Sequence, residues 1–361
     1  MFIGIQILRG LAAAMVVCHH YLASQVERGA AVSHWWLEFG GSGVDIFFVI
    51  SGFIMMITQS DASGKKREYS ARNFLTRRLM RIAPLYWVLT ALAFGLASLA
   101  GAAVNTQISG EKFLMSMLFL PYSEGDIVMN LDAHTAYVIP MAWTLTFEWF
   151  FYLVFASALA FGLHSYARLR FIAVVFIALV AAGLLARPEA PILQVITSPL
   201  LFEFLLGCAV AVFYLKGLRL HPAIAVALAV TAVGVLVNQL HGTVFERTAI
   251  WGLASFGLVM AASLTERELG QSILIRPFAR LGDISYSLYL SHFFTLALFV
   301  RLQDRLPPLN ESFGIPAIVA FAALNIFVAE MCYRFIEDPS RKFFARADFS
   351  WLRPKRKVPG P

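Results

Sequence analysis

Ionisable side chains stand inside apolar segments of this sequence, where a charged group costs at least about 2.5 kcal/mol. Such residues are rare in membrane segments and usually mark a ligand, substrate or proton site, although paired charges can also serve only to hold helices together. A large set favours a functional site over structural pairing alone. Seven stand in the apolar runs of this chain: Arg9, His19, His20, Asp45, Glu148, His292 and Glu330.

The arginine and the second histidine of the first apolar run are eleven residues apart, at Arg9 and His20. At about 100° per residue, both side chains leave the helix on nearly the same face. A rise of about 1.5 Å per residue separates them by roughly 16 Å along the axis. They cannot contact each other, but one elongated ligand could contact both. His19 is rotated by about 100° from His20, so we rank it second and expect it to face another helix or lipid.

Two carboxylates are candidates for holding the His20 ring. Asp45 lies in the glycine-rich segment GGSGVDIFFVISGF at 40–53, and Glu148 lies in WTLTFEWFFY at 143–152. Glycines allow the backbones of membrane helices to approach closely, which could press Asp45 against a neighbouring helix. A carboxylate near an imidazole orients the ring and favours its charged form. Trp143, which begins the second segment, is a candidate substrate contact.

Three arginines stand at the start of another apolar run, in RRLMRIAPLYW at 77–87. Arg78 and Arg81, at i and i+3, are neighbours on a helix surface. The planar guanidinium fork matches phosphate oxygens, so this pair suits a phosphate at the membrane surface. Arg77 fits ordinary anchoring at the cytoplasmic face equally well.

A stripe of hydroxyls and one imidazole occurs in LGDISYSLYLSH at 281–292. Ser285, Tyr289 and His292 are at i, i+4 and i+7 and therefore share one helical face. Hydrogen bonding between helices and contact with a substrate both explain Ser285 and Tyr289. For His292, a structural role and a role in the site are equally consistent with the sequence.

The elements that must position these residues are membrane helices. The 361 residues are 59% hydrophobic and 14% charged, with a mean hydropathy of +0.71. Soluble domains carry roughly 25% charged residues, so a soluble enzyme, a disordered chain and a disulfide-stapled secreted domain are excluded. The segment 113–121 is too short to cross a bilayer and predicts a re-entrant or interfacial helix. Ten spans are predicted, near 4–24, 43–60, 82–101, 142–162, 170–187, 194–215, 223–240, 247–264, 284–302 and 315–336.

Charge and cysteine usage complete the predicted fold class, an all-α polytopic membrane bundle of about ten helices. Most Lys and Arg residues fall after the even-numbered spans and in the tail, which predicts that both termini are cytoplasmic. The net charge of +7 therefore follows membrane sidedness and does not indicate nucleic acid. Cys18, Cys208 and Cys332 all lie in apolar stretches and provide neither a disulfide framework nor metal-ligand spacing.

Taken in order, these motifs resemble those of the acyltransferase-3 family of integral membrane acyltransferases. The likeness runs from residue 5 to about residue 345, and it is greatest toward members that modify exopolysaccharides, such as succinoglycan acetyltransferases. It predicts a membrane domain over 1–345 and a basic cytoplasmic tail over 346–361, in the inner (plasma) membrane. The matching segments are LRGLAAAMVVCHH, GGSGVDIFFVISGF, RRLMRIAPLYW, WTLTFEWFFY, GDISYSLYLSH and a closing EDP at 337–339.

The resemblance implies transfer of an acyl group, most commonly acetyl, from cytoplasmic acyl-CoA to a glycan hydroxyl, without a metal. His20 would be the catalytic residue, either as a general base or as a covalent acyl relay, with Asp45 or Glu148 holding its ring. The expected partners are a glycan acceptor and membrane lipid, with a homodimer left open and no nucleic acid. Donor binding would fall to Arg9, Arg77, Arg78 and Arg81, and substrate binding to Trp143, Ser285, Tyr289 and His292.

One alternative belongs to another functional class. The same intramembrane polar residues could form the path of a transporter or flippase for a lipid-linked glycan. Inverted repeats would favour that hypothesis, and we find none in the sequence. A flippase would also have no need of an arginine pair suited to a nucleotide phosphate.

Overall fold

The computed structural model describes residues 2–61, 70–100, 108–122, 137–238, 243–265, 275–306 and 314–346. Of the described residues 84% are helical, and none lies in a β-strand. The first half holds α1 (Ile3–Glu27), α2 (His34–Gly41), α3 (Gly43–Thr58), α4 (Ala71–Ala100), α5 (Gly110–Met117), α6 (Trp143–Ala160), α7 (Ser165–Ala186) and α8 (Pro191–Ile196). The second half holds α9 (Leu201–Leu215), α10 (Pro222–Asn238), α11 (Val244–Arg247), α12 (Leu253–Leu264), α13 (Arg276–Asp283), α14 (Ser285–Gln303), α15 (Ile315–Cys332) and α16 (Asp338–Arg346).

The predicted all-α membrane bundle is confirmed. Within the described ranges, eight helical segments are long and apolar enough to cross a bilayer. The pair α13 and α14 supplies a ninth if its two parts, bent by 72°, count as one span. The seventh predicted span corresponds to α10, which at 17 residues is shorter than each of the eight segments just counted. The sidedness of the termini stays a prediction, and the basic tail from residue 347 lies outside the described residues.

Helix α3 packs closely against α9 near the centre of the bundle. Their backbones meet at two glycines, each of which faces a carbonyl of the other helix. A Cβ atom at Gly52 would lie 2.0 Å from the oxygen of Phe204, and one at Gly207 would lie 1.9 Å from the oxygen of Val49. Both positions therefore require glycine, because any side chain would force the helices apart.

Helix α1 is packed on several sides, against α2, α3, α13 and α14. Its contact with α13 is also close, since a Cβ atom at Gly282 would lie 2.0 Å from the oxygen of Gln6. The chain then bends at Ile284 into α14. This bend brings the first residue of α14 beside the Arg9 region of α1.

Helices α7, α10 and α15 lie at the periphery and present apolar side chains outward. These side chains include Val174, Leu185, Val230 and Phe327, all of which are exposed. Exposed apolar side chains on membrane helices face lipid, so these three helices form part of the lipid-facing surface.

Candidate active site

A cavity of about 270 Å³ lies between α1, α3, α4, α6 and α14. Much of its wall is apolar and comes from α3. Its polar groups lie on all five helices, so the cavity is built by the tertiary packing of the bundle. Five of the side chains predicted for the site line it: Arg9, Arg81, Glu148, Ser285 and Tyr289.

Arg9 is held in the cavity wall by neutral partners. Its guanidinium donates to Oγ of Ser285 at 3.0 Å and lies 3.5 Å from Oε1 of Gln6. The Ser285 hydroxyl in turn donates to the carbonyl of Gly282 at 2.8 Å, which leaves its lone pairs for Arg9. Because these partners are uncharged, they orient the guanidinium without neutralising it.

The acidic groups of this region are also engaged by hydroxyls. Glu148 accepts hydrogen bonds from Ser51, at 3.2 Å, and from the hydroxyl of Tyr152. Glu337 accepts a hydrogen bond from the hydroxyl of Ser287 at 2.6 Å.

The charged side chains that line the cavity are predominantly positive, with two arginines, Arg9 and Arg81, and one carboxylate, Glu148. Arg9 interacts electrostatically with Arg81 and with three carboxylates, Glu337, Glu148 and Asp283, and Arg78 interacts with Glu148. An excess of arginine beside a cavity suits an anionic ligand.

The three arginines of α4 that the sequence assigned to donor binding point in different directions. Arg81 lines the cavity, whereas Arg78 does not and instead lies over the ring of Phe74, 5.8 Å from its centroid. Arg77 is exposed. Residues at i and i+3 are about 60° apart around a helix, which is enough to direct Arg78 away from the space that Arg81 borders.

His20 lies against a second imidazole, that of His292. Its Nδ1 atom is 2.9 Å from the carbonyl oxygen of Val16 and 3.3 Å from Nε2 of His292. The two rings have centroids 5.0 Å apart, and His292 is completely buried. We call His20 and His292 the histidine pair.

The histidine pair adjoins the cavity without lining it. Tyr289, which does line it, precedes His292 by one turn of α14, and the two ring centroids are 6.0 Å apart. The Tyr289 hydroxyl lies 3.0 Å from Oγ1 of Thr144, so α6 and α14 meet between the cavity and the pair. Arg9 therefore lies in the cavity wall, whereas His20, eleven residues further along α1, does not line the cavity.

His19 contacts a different helix from that contacted by His20. Its Nδ1 atom lies 2.7 Å from the carbonyl oxygen of Leu37 in α2. A Cβ atom at Gly40 would lie 2.8 Å from the Cβ of His19, so the two helices cross closely here. His19 therefore fixes α2 against α1.

Asp45 has a partner other than the one we expected. Its carboxylate accepts two hydrogen bonds from Arg247, from Nε to Oδ1 at 3.1 Å and from Nη2 to Oδ2 at 2.8 Å. Arg247 also lies over the ring of Trp251, 5.0 Å from its centroid, and Glu203 interacts with both charges. The expected placement of Asp45 as the group orienting His20 is corrected, because the bidentate guanidinium occupies both carboxylate oxygens.

Two other residues singled out in the sequence lie away from the cavity. Trp143 packs edge-on against Phe48 and Phe147, with ring centroids 6.2 and 5.8 Å away. Glu330 forms ion pairs with Arg280, at 2.6 Å, and with Arg334. These ion pairs fit the alternative that a charged residue such as Glu330 serves to hold helices together.

Sequence reasoning missed two charged residues and most of the neutral polar lining. Glu203 is an acid within the predicted span 194–215, so the rule applied to the other intramembrane charges would have found it. Arg247 falls on the edge of a predicted span and resembles an ordinary loop cation. Gln6, Ser51, Thr144, Tyr152 and Tyr286 carry no comparable signal, because neutral polar residues are common in membrane helices. No group of three or more His, Cys, Asp or Glu residues suited to a metal occurs in the part of the chain that the structure describes.

Comparison with known proteins identifies the family. The acyltransferase domain family matches residues 2–330. The exopolysaccharide production protein ExoZ of Rhizobium meliloti is 32% identical over 307 residues, which cover 83% of this chain and 89% of ExoZ. The O-acetyltransferase OatA of Staphylococcus aureus is 25% identical over 98% of this chain and 59% of its own length. The putative peptidoglycan O-acetyltransferase YrhL of Bacillus subtilis is 24% identical over 94% of this chain and 54% of its own.

No solved structure matches the chain. The chain spans between half and two thirds of OatA and YrhL, but most of ExoZ. With a family match over most of the sequence and a bundle of membrane-spanning helices, this protein belongs to the acyltransferase-3 family and is a multi-pass membrane acyltransferase.

Proposed function

We propose that this protein moves an acyl group, most simply acetyl, from cytoplasmic acyl-CoA to a hydroxyl of a surface glycan, with His20 as the general base. The observation that carries the proposal is the arginine-lined cavity, whose wall includes Arg9 on α1 and Tyr289 on α14, one turn from His292 of the histidine pair. The names of ExoZ, OatA and YrhL, which refer to exopolysaccharide and peptidoglycan, support a glycan as the acceptor.

The donor proposal rests on charge and size. Arg9 and Arg81 present guanidinium groups to the cavity, and such groups bind phosphate through charge-assisted hydrogen bonds. Arg77 and Arg78, at the same end of α4, add positive charge for the nucleotide part of CoA. A volume of about 270 Å³ is at the lower end for small-molecule pockets, so it suits the acyl-pantetheine arm rather than the whole donor.

In the transfer step, Nε2 of His20 takes the proton of the glycan hydroxyl while the oxygen attacks the thioester carbonyl. The carbon–sulfur bond then breaks, and the imidazolium returns its proton to the departing sulfur, so that ester and free CoA thiol are formed. A route through acyl-histidine has the same overall balance, since His20 first takes the acyl group and then gives it to the glycan oxygen.

The remaining predicted residues have roles consistent with their positions. Glu148, held by Ser51 and Tyr152, borders the pantetheine arm in the cavity. Ser285 orients Arg9, and Tyr289 lies where the arm leaves the cavity toward His20. We place the protein in the plasma membrane, with a membrane domain over 1–345 whose proposed partners are lipid, the acyl donor and the glycan acceptor.

The direct test is transfer of label in a lipid environment. The purified protein in nanodiscs is given radiolabelled acetyl-CoA and oligosaccharides from the producing cell's own surface polysaccharide, and labelled glycan and free CoA are measured. His20→Ala should abolish both products, while the neighbouring control His19→Ala keeps transferring. Full transfer by His20→Ala would refute the catalytic assignment. Glycan movement across a vesicle membrane without CoA release would instead favour a flippase.

A further inference from the structure

We propose that His292 is a positioning residue, which accepts a hydrogen bond from Nδ1 of His20 and so, together with the Val16 carbonyl, holds the His20 ring in one tautomer and orientation. The inference rests on the proposed function, because it assigns His292 a role in a reaction for which His20 is the base. It replaces the substrate-binding role that the sequence suggested for His292.

The tautomer follows from the chemistry of the two contacts on one nitrogen. A backbone carbonyl can only accept, so Nδ1 of His20, at 2.9 Å from the Val16 oxygen, must carry the hydrogen. Nε2 of His292, at 3.3 Å from the same Nδ1, can then only be an acceptor, since two N–H groups would repel. In the neutral His20 ring, Nε2 therefore carries the lone pair that abstracts a proton.

The protonation of His292 follows in the same way. With its lone pair on Nε2, neutral His292 carries its hydrogen on Nδ1. That atom faces the backbone of Leu288 and Tyr289 one turn earlier, although it has no hydrogen bond of normal geometry among the described residues. The His292 carbonyl accepts from Thr295 at 2.9 Å, and Thr295 also contacts Asn325 of α15, so neighbouring residues hold this turn of α14 in place.

A buried imidazole suits this position better than a carboxylate. Both predicted carboxylates have other partners, Asp45 with Arg247 and Glu148 with Ser51 and Tyr152. A neutral acceptor avoids the cost of burying an uncompensated charge in the membrane. When His20 becomes an imidazolium, its hydrogen bonds to Val16 and His292 become charge-assisted and stronger, which stabilises the charged intermediate.

The test compares two substitutions of similar size at the same position. His292→Gln keeps a side-chain acceptor near the position of Nε2, whereas His292→Leu removes it. We expect His292→Leu to lower kcat by roughly 10- to 100-fold, less than the roughly 10²- to 10⁴-fold that a general acid or base itself contributes, with the KM for acetyl-CoA changed less than about twofold. His292→Gln should recover several-fold of that loss. Circular dichroism and thermal unfolding in detergent check that both variants fold.

A spectroscopic measurement reports the tautomer without requiring turnover. In protein labelled with ¹⁵N-histidine, the His20 signals, identified by their absence from His20→Ala, should show hydrogen on Nδ1. His292→Leu, which leaves the Val16 carbonyl in place, should increase the share of the other tautomer without making it the main form. Equal kcat for the Leu variant and the native protein, or equal loss in the Leu and Gln variants, would overturn the role of His292. Those results leave the proposed function intact, whereas an active His20→Ala refutes the function itself.

Discussion

The cavity wall and the Asp45–Arg247 pair both place arginine inside the membrane, but the guanidinium groups meet different partners. Arg247 meets a carboxylate in bidentate geometry and does not line the cavity. Arg9 lines the cavity and is hydrogen-bonded to the neutral side chains of Ser285 and Gln6, without an ion pair among the described residues. A buried charge that is neutralised holds helices together. A buried charge that is oriented but not neutralised is kept for a ligand.

We expect the largest effect from removing one member of the Asp45–Arg247 pair. Asp45→Ala removes the hydrogen-bonded partner of Arg247 and leaves it the electrostatic interactions with Glu203 and Glu38, and loss of one partner from a buried pair costs about 3–5 kcal/mol. We expect that loss in the free energy of unfolding, measured by titration with SDS in mixed micelles. The double variant Asp45→Ala/Arg247→Ala should regain part of it, since no unpaired guanidinium is left. A fully stable but inactive Asp45→Ala would move Asp45 back into the active site.

At the cavity we expect substitution of an arginine to weaken donor binding rather than to lower stability. Arg81→Ala should leave stability nearly unchanged and raise the KM for acetyl-CoA by roughly 10- to 100-fold, since a hydrogen bond to a charged group is worth about 1.5–3 kcal/mol. Steady-state kinetics in nanodiscs measure this effect. An unchanged KM would remove Arg81 from the donor site.

Arg78 and Arg81 lie at different angles around α4, so their substitutions should have different effects. Arg78→Ala should raise the same KM by less than about threefold, because its guanidinium lies over Phe74 and acts on the donor only at a distance. Arg78→Lys serves as the matched control that keeps the charge. A larger effect for Arg78 than for Arg81 would contradict the assignment of the cavity as the donor site.

The smallest expected effect is at the boundary between cavity and histidine pair. Tyr289→Phe removes the hydroxyl that contacts Thr144 at 3.0 Å, a hydrogen bond worth about 0.5–1.5 kcal/mol. We expect kcat to fall less than about tenfold, with Thr144→Val giving a similar loss. Additive losses in the double variant would show that the two hydroxyls do not act together.

The sequence predicted those features that depend on local periodicity and hydropathy. Helices occur at all ten predicted spans, and the stripe Ser285–Tyr289 lines the cavity together with Arg9. Periodicity predicts which residues share one face of a helix, but it does not predict which other helix packs against that face. Arg247 is 202 positions from Asp45, and His292 is 272 positions from His20, so both contacts depend on how the bundle assembles. For this reason Asp45 was expected beside His20, and His292 was not recognised as its neighbour.

The bend between α13 and α14 adds an electrostatic contribution that substitution of side chains does not remove. Because α14 starts at Ser285, its first two residues, Ser285 and Tyr286, form part of the cavity wall, and no side chain caps that end. The amino end of a helix carries about half a positive elementary charge on its backbone N–H groups. An anion held between Arg9 and Arg81 is therefore also attracted by the peptide dipoles of α14. Removing all the arginines would leave this backbone attraction in place.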